Sequence, residues 1–481
     1  MTHLQPLDTG KLSARAWGAL LVLCGALFLD ALDVSMVGVA LPSIKSDLHM
    51  STSSLQWVVS AYVLGYGGFL LLGGRAADLL GRRRVFLIAL GVFVVASALG
   101  GLASDGTLLI VTRFVKGLSA AFTAPAGLSI ITTSFEEGPA RNKALSVYTA
   151  TGATGFSLGL VFGGLLTEVS WRLAFLLPAP VALVALVAGL RLVPKSERVR
   201  SIGRSFDLAG AVTLTAGMLL LVYTLVEAPT AGWGSGRTLG SLAGVAAILA
   251  AFIAREQRTP SPLIRLGIFR TSTLVRANLG AMALAAWIGF QFIATLYMQQ
   301  LRGWSSLETG LAIFPAGALV AVLSPRVAPL IGRFGVTRLA VAGLSSLVVG
   351  YVLFLPIGLG SSYALGMLPT FLLAGLGFGL AFGPLNVAAT SGVAPEEQGL
   401  AGGLVNTSFQ LGAALVLAIV TAVVSANTTG SSQQDILSGY KAALFVAVGV
   451  ALLGVVAMLR RRPTAVADID VAIEDALEEA A

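Results

Sequence analysis

The chain reads Gly74-Arg75-Ala76-Ala77-Asp78-Leu79-Leu80-Gly81-Arg82-Arg83-Arg84 between two apolar segments, which lie near Ser53–Gly73 and Val85–Ala103. About 20 mainly apolar residues are needed to cross a bilayer as a helix. Glycine allows a tight turn, and charged side chains avoid the hydrocarbon core. The quoted stretch therefore predicts a basic turn that joins two membrane helices.

The composition of the whole chain supports the same interpretation. Its 481 residues are 56% hydrophobic and 11% charged, against about 25% charged in soluble domains, and the mean hydropathy is +0.88. These values exclude a soluble enzyme, a disordered scaffold and a secreted disulfide module. Cys24 is the single cysteine, and His3 and His49 lie outside the apolar segments. We therefore expect a polytopic membrane protein with no metal site and no cofactor.

Hydropathy predicts fourteen membrane spans. They lie near Trp17–Val39, Ser53–Gly73, Val85–Ala103, Thr107–Ile130, Ala144–Thr167, Leu173–Val193, Leu208–Glu227, Leu239–Ala254, Thr273–Gln299, Leu307–Leu323, Leu339–Gly358, Tyr363–Leu385, Leu404–Ala426 and Ala442–Leu459. The first span lacks a small-residue cleavage site and is interpreted as a retained helix.

The distribution of Lys and Arg predicts the orientation of these spans. With Met1 in the cytoplasm, 24 of the 31 basic residues fall in cytoplasmic segments and 5 in outer segments, while Arg113 and Lys116 lie within a span. This asymmetry follows the positive-inside rule. It predicts a multi-pass protein of the cell membrane with both termini cytoplasmic. The net charge of +8 is then explained by topology and contact with anionic lipid, and no nucleic-acid partner is expected.

A weak internal repeat divides the chain. The stretch Gly332-Arg333-Phe334-Gly335 joins spans 10 and 11 as the basic turn joins spans 2 and 3, and paired halves are typical of secondary transporters. The predicted organisation is a cytoplasmic N-terminal segment (1–16), a six-helix half (17–193), a linker with two inserted spans (194–272), a second six-helix half (273–459) and an acidic cytoplasmic tail (460–481).

The basic turn resembles the signature loop of the major facilitator superfamily, and other motifs resemble its fourteen-span drug:proton antiporter subfamily. These motifs are Leu32-Asp33 through Leu41-Pro42 in span 1, Arg113 through Gly117 in span 4, Gly155 through Gly164 in span 5, Trp171 through Phe175 opening span 6, and Phe206 through Gly210 opening span 7. The resemblance implies an all-α major facilitator fold of two six-helix halves plus two extra helices.

The resemblance also implies roles for two groups of residues. A conformational gate at the basic turn would comprise Gly74, Asp78, Gly81, Arg82 and Arg83. The motif of span 5 that the family associates with antiport would comprise Gly155, Gly159, Gly163 and Gly164. Leu160 stands where the family has Pro, and Gly332 stands in the second half where Asp78 stands in the first.

Four charged residues lie deep within spans and are the predicted proton-coupling site. Asp33 and Arg113 are both ~9 Å from the outer boundary, and Asp30 and Lys116 are both ~14 Å deep. We therefore expect two ion pairs in matched layers, Asp33 with Arg113 and Asp30 with Lys116. The alternative is an ion-pair ladder that only fixes helix packing. Each intramembrane charge costs at least ~2.5–3.5 kcal/mol on insertion scales, which favours a functional role.

Several other side chains are candidates for lining the substrate cavity. They are Gln56, Trp287, Phe290, Gln291, Phe378 and Phe382, although amides in spans commonly bond neighbouring helices and aromatic residues commonly pack.

These features favour proton-driven efflux of small amphipathic or cationic drugs and antibiotics, conferring resistance on a bacterial cell. The partners would be a small-molecule substrate, protons and membrane lipid, and a monomer is expected. The alternative is a proton-coupled transporter of one specific metabolite, which an anion would suit because two cations are fixed in the membrane. A channel is not supported, because no span carries a polar stripe, and no nucleophile–base constellation suggests an enzyme.

Overall fold

The computed structural model describes residues 14–459 except 136–138, 195–206, 260–261, 263, 265, 394–397 and 429. The predicted acidic tail and most of the N-terminal segment lie outside the described residues. Fourteen helices are long and apolar enough to cross a membrane, and the described residues include no β-strand. The predicted all-α fold with fourteen spans is therefore confirmed.

We number these helices α1–α14 in chain order. Their bounds are Ala14–Asp47, Thr52–Leu80, Arg82–Gly101, Gly106–Ser134, Pro139–Val169, Leu173–Leu192, Leu208–Ala231, Gly236–Glu256, Ser272–Leu301, Ser306–Phe334, Val336–Phe354, Tyr363–Thr390, Gln398–Asn427 and Gln433–Leu459.

Most helices extend beyond the predicted apolar segments. The largest difference is α10, for which hydropathy predicted an end at Leu323. The structure continues it through a 3-10 turn at Ser324–Arg326 to Phe334. Polar and charged residues end the apolar window there, but they do not prevent helical backbone geometry.

The same pattern of helix contacts occurs twice. In the first six helices α1 packs against α5 and α6, α2 against α4, and α3 against α4 and α6. In the last six, α9 packs against α13 and α14, α10 against α12, and α11 against α12 and α14. This repetition supports the division into two halves at 17–193 and 273–459.

Glycines allow the helices of the first half to approach closely. A Cβ atom at Gly117 of α4 would lie 2.0 Å from Tyr62 O of α2, and one at Gly65 of α2 would lie 2.3 Å from Phe114 O of α4. No side chain fits at such distances, so small residues at this interface let the two backbones touch. The contact fixes how the polar residues of α4 face α2.

The two halves meet directly near one end of the bundle. We call this end, which carries Asp47, Arg172 and Arg302, the outer end, following the predicted orientation. Here Gln299 Nε2 donates to Val39 O at 2.9 Å, and Leu307 N donates to the Glu168 carboxylate at 3.0 Å. The outer ends of α1 and α5 thus bond to α9 and α10.

The inserted helices α7 and α8 lie against one side of the bundle. α7 packs on α2 of the first half and on α13 of the second, and Trp57 Nε1 of α2 donates to Glu227 Oε1 of α7 at 3.1 Å. At the inner end Asp207 caps α7 by accepting from Gly210 N at 2.8 Å and pairs with Arg255 Nε at 2.8 Å. The insertion is therefore bonded to α2 at its outer end, and its two helices are bonded to each other at the inner end.

Asp207 precedes the membrane-spanning part of α7 and is buried. Burial by itself would raise the pKa of Asp207, but the bonds from the Gly210 N–H and the Arg255 guanidinium outweigh it and hold the pKa below its usual range. The carboxylate thus stays charged, as an N-cap at the positive end of a helix favours.

Candidate functional site

A buried carboxylate lies between two cations in the first half. Asp33 of α1 accepts hydrogen bonds from Arg113 NH1 through Oδ2 and from Lys116 Nζ through Oδ1, and the side chains of all three residues are at most 2% exposed. Arg113 and Lys116 are one helical turn apart on α4, so both reach the same face of α1. The predicted pairing of Asp33 with Arg113 is confirmed.

Both cations are held by further partners. Arg113 Nε donates to Val58 O of α2 at 2.9 Å, and Lys116 Nζ donates to Ser97 Oγ of α3 at 2.9 Å. Ser97 Oγ in turn donates to Phe175 O of α6 at 2.9 Å. The ion cluster is therefore tied into five helices of the first half.

Aromatic rings enclose the same cations. The Arg113 guanidinium lies 4.6 Å from the Tyr62 ring centroid, and Lys116 Nζ lies 4.7 Å from that of Phe93. Such rings stabilise a cation while excluding water.

Asp30, by contrast, pairs with no cation among the described residues. Its Oδ1 accepts from Tyr62 OH at 2.6 Å, while Lys116 bonds to Asp33. The predicted Asp30–Lys116 layer is wrong, because equal depth does not fix the direction in which a side chain points from its helix. Asp30 is half-buried and lies near Leu27, Thr123 and Tyr148.

The arrangement separates two carboxylates by their surroundings. One carboxylate between two cations leaves one positive charge uncompensated. An ionised Asp30 would balance this charge, and it lies close by, because Tyr62 contacts both Asp30 and Arg113. Asp33 is fully buried, whereas Asp30 is half-buried. Asp30 is therefore the more accessible of the two carboxylates.

Sequence reasoning did not identify Tyr62 or Ser97. Gly117 and Gly65 allow α4 to contact α2 at Tyr62, but a glycine pattern does not specify which polar neighbour it brings into contact, and no such pattern concerns Ser97 on α3.

The basic turn adopts the predicted geometry at Gly81. Gly81 has φ +95° and precedes α3, and Gly335 has φ +82° before α11, a conformation that favours glycine. The close backbone approach in this part of α2 is at Gly73, where a Cβ atom would be 2.1 Å from Ala121 O, whereas one at Gly74 would be 3.8 Å from Pro125 Cβ.

The charges of this turn are only partly described. Arg83 NH2 donates to Leu190 O of α6, Arg82 is half-buried, and Arg84 is exposed. The side chain of Asp78 lies outside the described part of the chain, so its gating role remains a prediction.

We expect Asp78→Ala to slow transport turnover at least tenfold while leaving equilibrium substrate binding within about twofold, because the turn lies at the inner ends of α2 and α3, away from the ion cluster. Stopped-flow efflux and binding titration on the same preparation measure the two quantities. Exposed Arg84→Ala, which changes charge in the same turn, is the matched control. A large loss of binding in a folded Asp78→Ala protein would contradict the prediction.

The glycine motif of α5 forms two helix contacts. Cβ atoms at Gly155, Gly159 and Gly163 would lie 2.5–2.6 Å from backbone atoms of α1, and one at Gly164 would lie 2.7 Å from Leu307 Cα of α10. Three of the glycines therefore pack α5 within its half, and Gly164 packs it against the other half. Leu160 keeps a backbone N–H that Pro lacks, and α5 is continuous through it.

Four of the cavity candidates are buried. Phe290 is fully buried and stacks on Tyr351 with centroids 4.7 Å apart, and Trp287 lies 5.9 Å from Phe290. Gln56 and Gln291 are also buried, the latter facing Gly38 of α1. For Phe290 the contacts support packing inside the second half.

Phe378 and Phe382 remain partly accessible. Their rings stack at 5.5 Å, and Phe409 of α13, which the sequence did not single out, meets them edge-on at 6.0 and 6.2 Å. A substrate contact at Phe378 and Phe382 therefore stays a prediction.

A bundle of fourteen apolar helices in two similarly packed halves, with charges buried inside one of them, defines a multi-pass membrane transporter. The model of the Major Facilitator Superfamily matches residues 23–417, and the chain belongs to that family. The predicted major facilitator fold is thus confirmed, and the family is one of transporters, not of enzymes.

Individual relatives are similar to this chain over most of its length. The cephamycin export protein CmcT of Amycolatopsis lactamdurans is 37% identical over 93% of each chain. The puromycin resistance protein pur8 of Streptomyces alboniger is 37% identical over 91% of this chain and 90% of its own. The tetracenomycin C resistance and export protein of Streptomyces glaucescens is 33% identical over 87% and 79%.

Solved structures share the fold at low identity. The nucleoside transporter NupG superposes with a TM-score of 0.66 at 11% identity, covering 92% of this chain and 100% of its own. The human organic anion transporter MFSD10 gives 0.63 at 18% identity, covering 93% and 100%. These similarities concern the fold alone.

Proposed function

We propose that this protein exports small amphipathic or cationic antibiotics across the cell membrane in exchange for protons and so confers resistance. The observation that carries the proposal is the buried ion cluster of α1 and α4, in a chain whose relatives are named for antibiotic export and resistance. The chain acts as a monomer, with both termini in the cytoplasm, and contacts only protons, lipid and a small-molecule substrate.

The mechanism is alternating access. The halves at 17–193 and 273–459 rock about their shared interface, and the linker at 194–272 carries the inserted helices without breaking that interface. The contacts of Gly164 and Gln299 at the outer end form in the inward-facing state and separate in the outward-facing one.

The two carboxylates have different roles in the coupling of proton and substrate. Asp33 neutralises one of the two cations that it contacts and keeps α1 and α4 together. Asp30 accepts the proton at its carboxylate oxygen, beside the hydroxyl of Tyr62. A protonated Asp30 leaves the cluster with a net positive charge, which repels a cationic substrate. An ionised Asp30 removes that charge and admits the substrate, so proton and substrate bind alternately.

The test of the proposal uses inverted membrane vesicles with an acidic lumen. Adding ethidium to vesicles with the native chain should release protons, seen as recovery of acridine-orange fluorescence. Asp30→Asn should reduce that proton release at least tenfold, because the amide cannot take up a proton. Asp105→Asn is the matched control: it removes an exposed acid of the outer end, and an Asn oxygen still caps Leu108 N.

Ethidium-driven proton release that Asp30→Asn leaves at the native rate would contradict the assignment of Asp30. No proton release with the native chain and any of a panel of cationic antibiotics would contradict the function itself.

One observation favours a second function, the transport of a specific anionic metabolite. Among the described residues, Asp33 is the one acid that pairs with Arg113 and Lys116, so a protonated Asp30 leaves a positive site in which an anion is stabilised. Competition by organic anions but not by cations in the same vesicles would select this function.

A further inference from the structure

A second polar cavity lies at the outer end, apart from the ion cluster. It has a volume of about 350 Å³ and is lined from the first half by Ser43, Ser46, Thr167 and Glu168, and from the second by Gln300 and Trp304, among others. Below it, Gln299 and the Gly164–Leu307 contact join the two halves.

The charge of this cavity is set by Glu168. Its Oε1 accepts from Leu307 N at 3.0 Å, while Oε2 makes no hydrogen bond with the described residues. The lining includes no Lys or Arg. An exposed carboxylate with one oxygen available therefore gives the cavity a single negative charge.

The other walls carry an aromatic ring and polar groups without partners. Thr167 is 8% exposed, and its Oγ1 has no hydrogen-bond partner among the described residues. Gln300 Oε1 accepts from Tyr440 OH at 3.0 Å, which leaves its amide N–H groups to bond elsewhere. The amide of Gln300 can therefore donate to a ligand in the cavity.

Trp304 provides the apolar surface. Its ring packs against Tyr363 with centroids 6.0 Å apart. Arg302, 5.8 Å from the ring, does not line the cavity, and its NH1 bonds to Ser361 O at 2.6 Å. Carboxylate, indole ring and hydroxyls together match an organic cation that carries an aromatic or apolar body.

We propose that this cavity is an outer binding site for the exported organic cation, with Glu168 as its counter-charge and Trp304 as its aromatic wall. The inference rests on the proposed efflux function and adds a second site on the exit path. Because both halves line the cavity, rocking of the halves changes its shape, and the cation binds it with different affinity in the two states.

A cation at Glu168 also acts on the contact between the halves. It binds the free Oε2 and lowers the negative charge on Oε1, which accepts from Leu307 N in the bond that joins α5 to α10. Occupancy of the outer site thus weakens the outer contact between the halves and favours release to the outside.

The experiment measures protection of a thiol from an impermeant reagent. Cys24 is the single cysteine and is buried, so Cys24→Ala gives a background in which Ser46→Cys, at an exposed position of the cavity, is labelled from outside by a sulfonated maleimide. Ethidium is the probe, and its concentration for half-maximal protection is recorded in intact cells.

Ethidium should slow labelling, and Glu168→Gln should raise the protecting concentration about fivefold, the loss expected for one exposed ion pair. The amide oxygen of Gln still accepts from Leu307 N, so the helix contact is kept. Trp304→Ala should have a similar effect, whereas Asp105→Asn, which removes an equal charge elsewhere at the outer end, should have none.

Three results would overturn the outer site. They are absence of protection while ethidium export is intact, equal protection with and without the Glu168 carboxylate, and loss of protection in Asp30→Asn but not in Glu168→Gln, which would place the ligand at the central cluster. Failure of the proposed function is read separately, as absence of ethidium-driven proton release by the native chain.

Discussion

Asp33→Asn is expected to abolish drug efflux and to destabilise the protein more than any other single neutralisation in the ion cluster. The substitution leaves Arg113 and Lys116 facing the same neutral group in a dry interior, where each was bonded to a carboxylate oxygen. Breaking a buried ion pair from one side costs about 3–5 kcal/mol. Ethidium efflux from cells and thermal unfolding in detergent measure the two effects.

A double-mutant cycle isolates the interaction. We expect Asp33→Asn with Lys116→Gln to cost less than the sum of the two single changes, because the second removes the cation that the first left unpaired. The exposed pair of Asp47 with Arg172 is the control, since exposed pairs contribute at most ~1 kcal/mol. Additive costs in the Asp33 cycle, or undiminished efflux by Asp33→Asn, would contradict the role of the cluster.

The second large effect is expected at Gly164. A methyl group there would lie 2.7 Å from both Leu307 Cα and Ser306 O, and these backbone atoms cannot move aside without separating α5 from α10. We therefore expect Gly164→Ala to prevent closure of the outer end and to reduce efflux at least tenfold. Maleimide labelling of Ser46→Cys should become faster, because the cavity above the contact opens.

Two variants test the cause of this effect. Gly25→Ala adds a methyl group in α1 where nothing lies within 4 Å, and it should leave efflux and labelling unchanged. Gly159→Ala clashes with Leu32 O at 2.6 Å inside the first half, so it should lower the melting temperature without faster labelling. Slower labelling in Gly164→Ala would show that the contact does not close the outer end.

The number and order of the helices could be predicted from the sequence because each crossing must bury about 20 apolar residues whatever its neighbours do. The ends were less predictable. The predicted apolar segment of span 10 ends before Ser324, but the helix continues to Phe334 because backbone hydrogen bonds do not depend on side-chain polarity. Gly81 was predictable in a different way, since its positive φ is a local requirement of the turn.

The ion cluster was predicted only in part. A rise of ~1.5 Å per residue gives depth, and depth correctly paired Asp33 with Arg113. Lys116 was assigned to Asp30 because depth does not fix the direction in which a side chain extends from its helix, and the Lys116 side chain extends to Asp33 instead. Tyr62 and Ser97 belong to helices whose positions arise from tertiary packing, so no local pattern identifies them.

The inserted helices make the two sides of the protein unequal towards the bilayer. α7 covers the line where α2 meets α13, with α8 packed against it, whereas the opposite line, where α5 meets α10, is covered by neither. The inserted helices thus separate one junction of the two halves from the surrounding bilayer, whereas the α5–α10 junction on the other side carries no such cover.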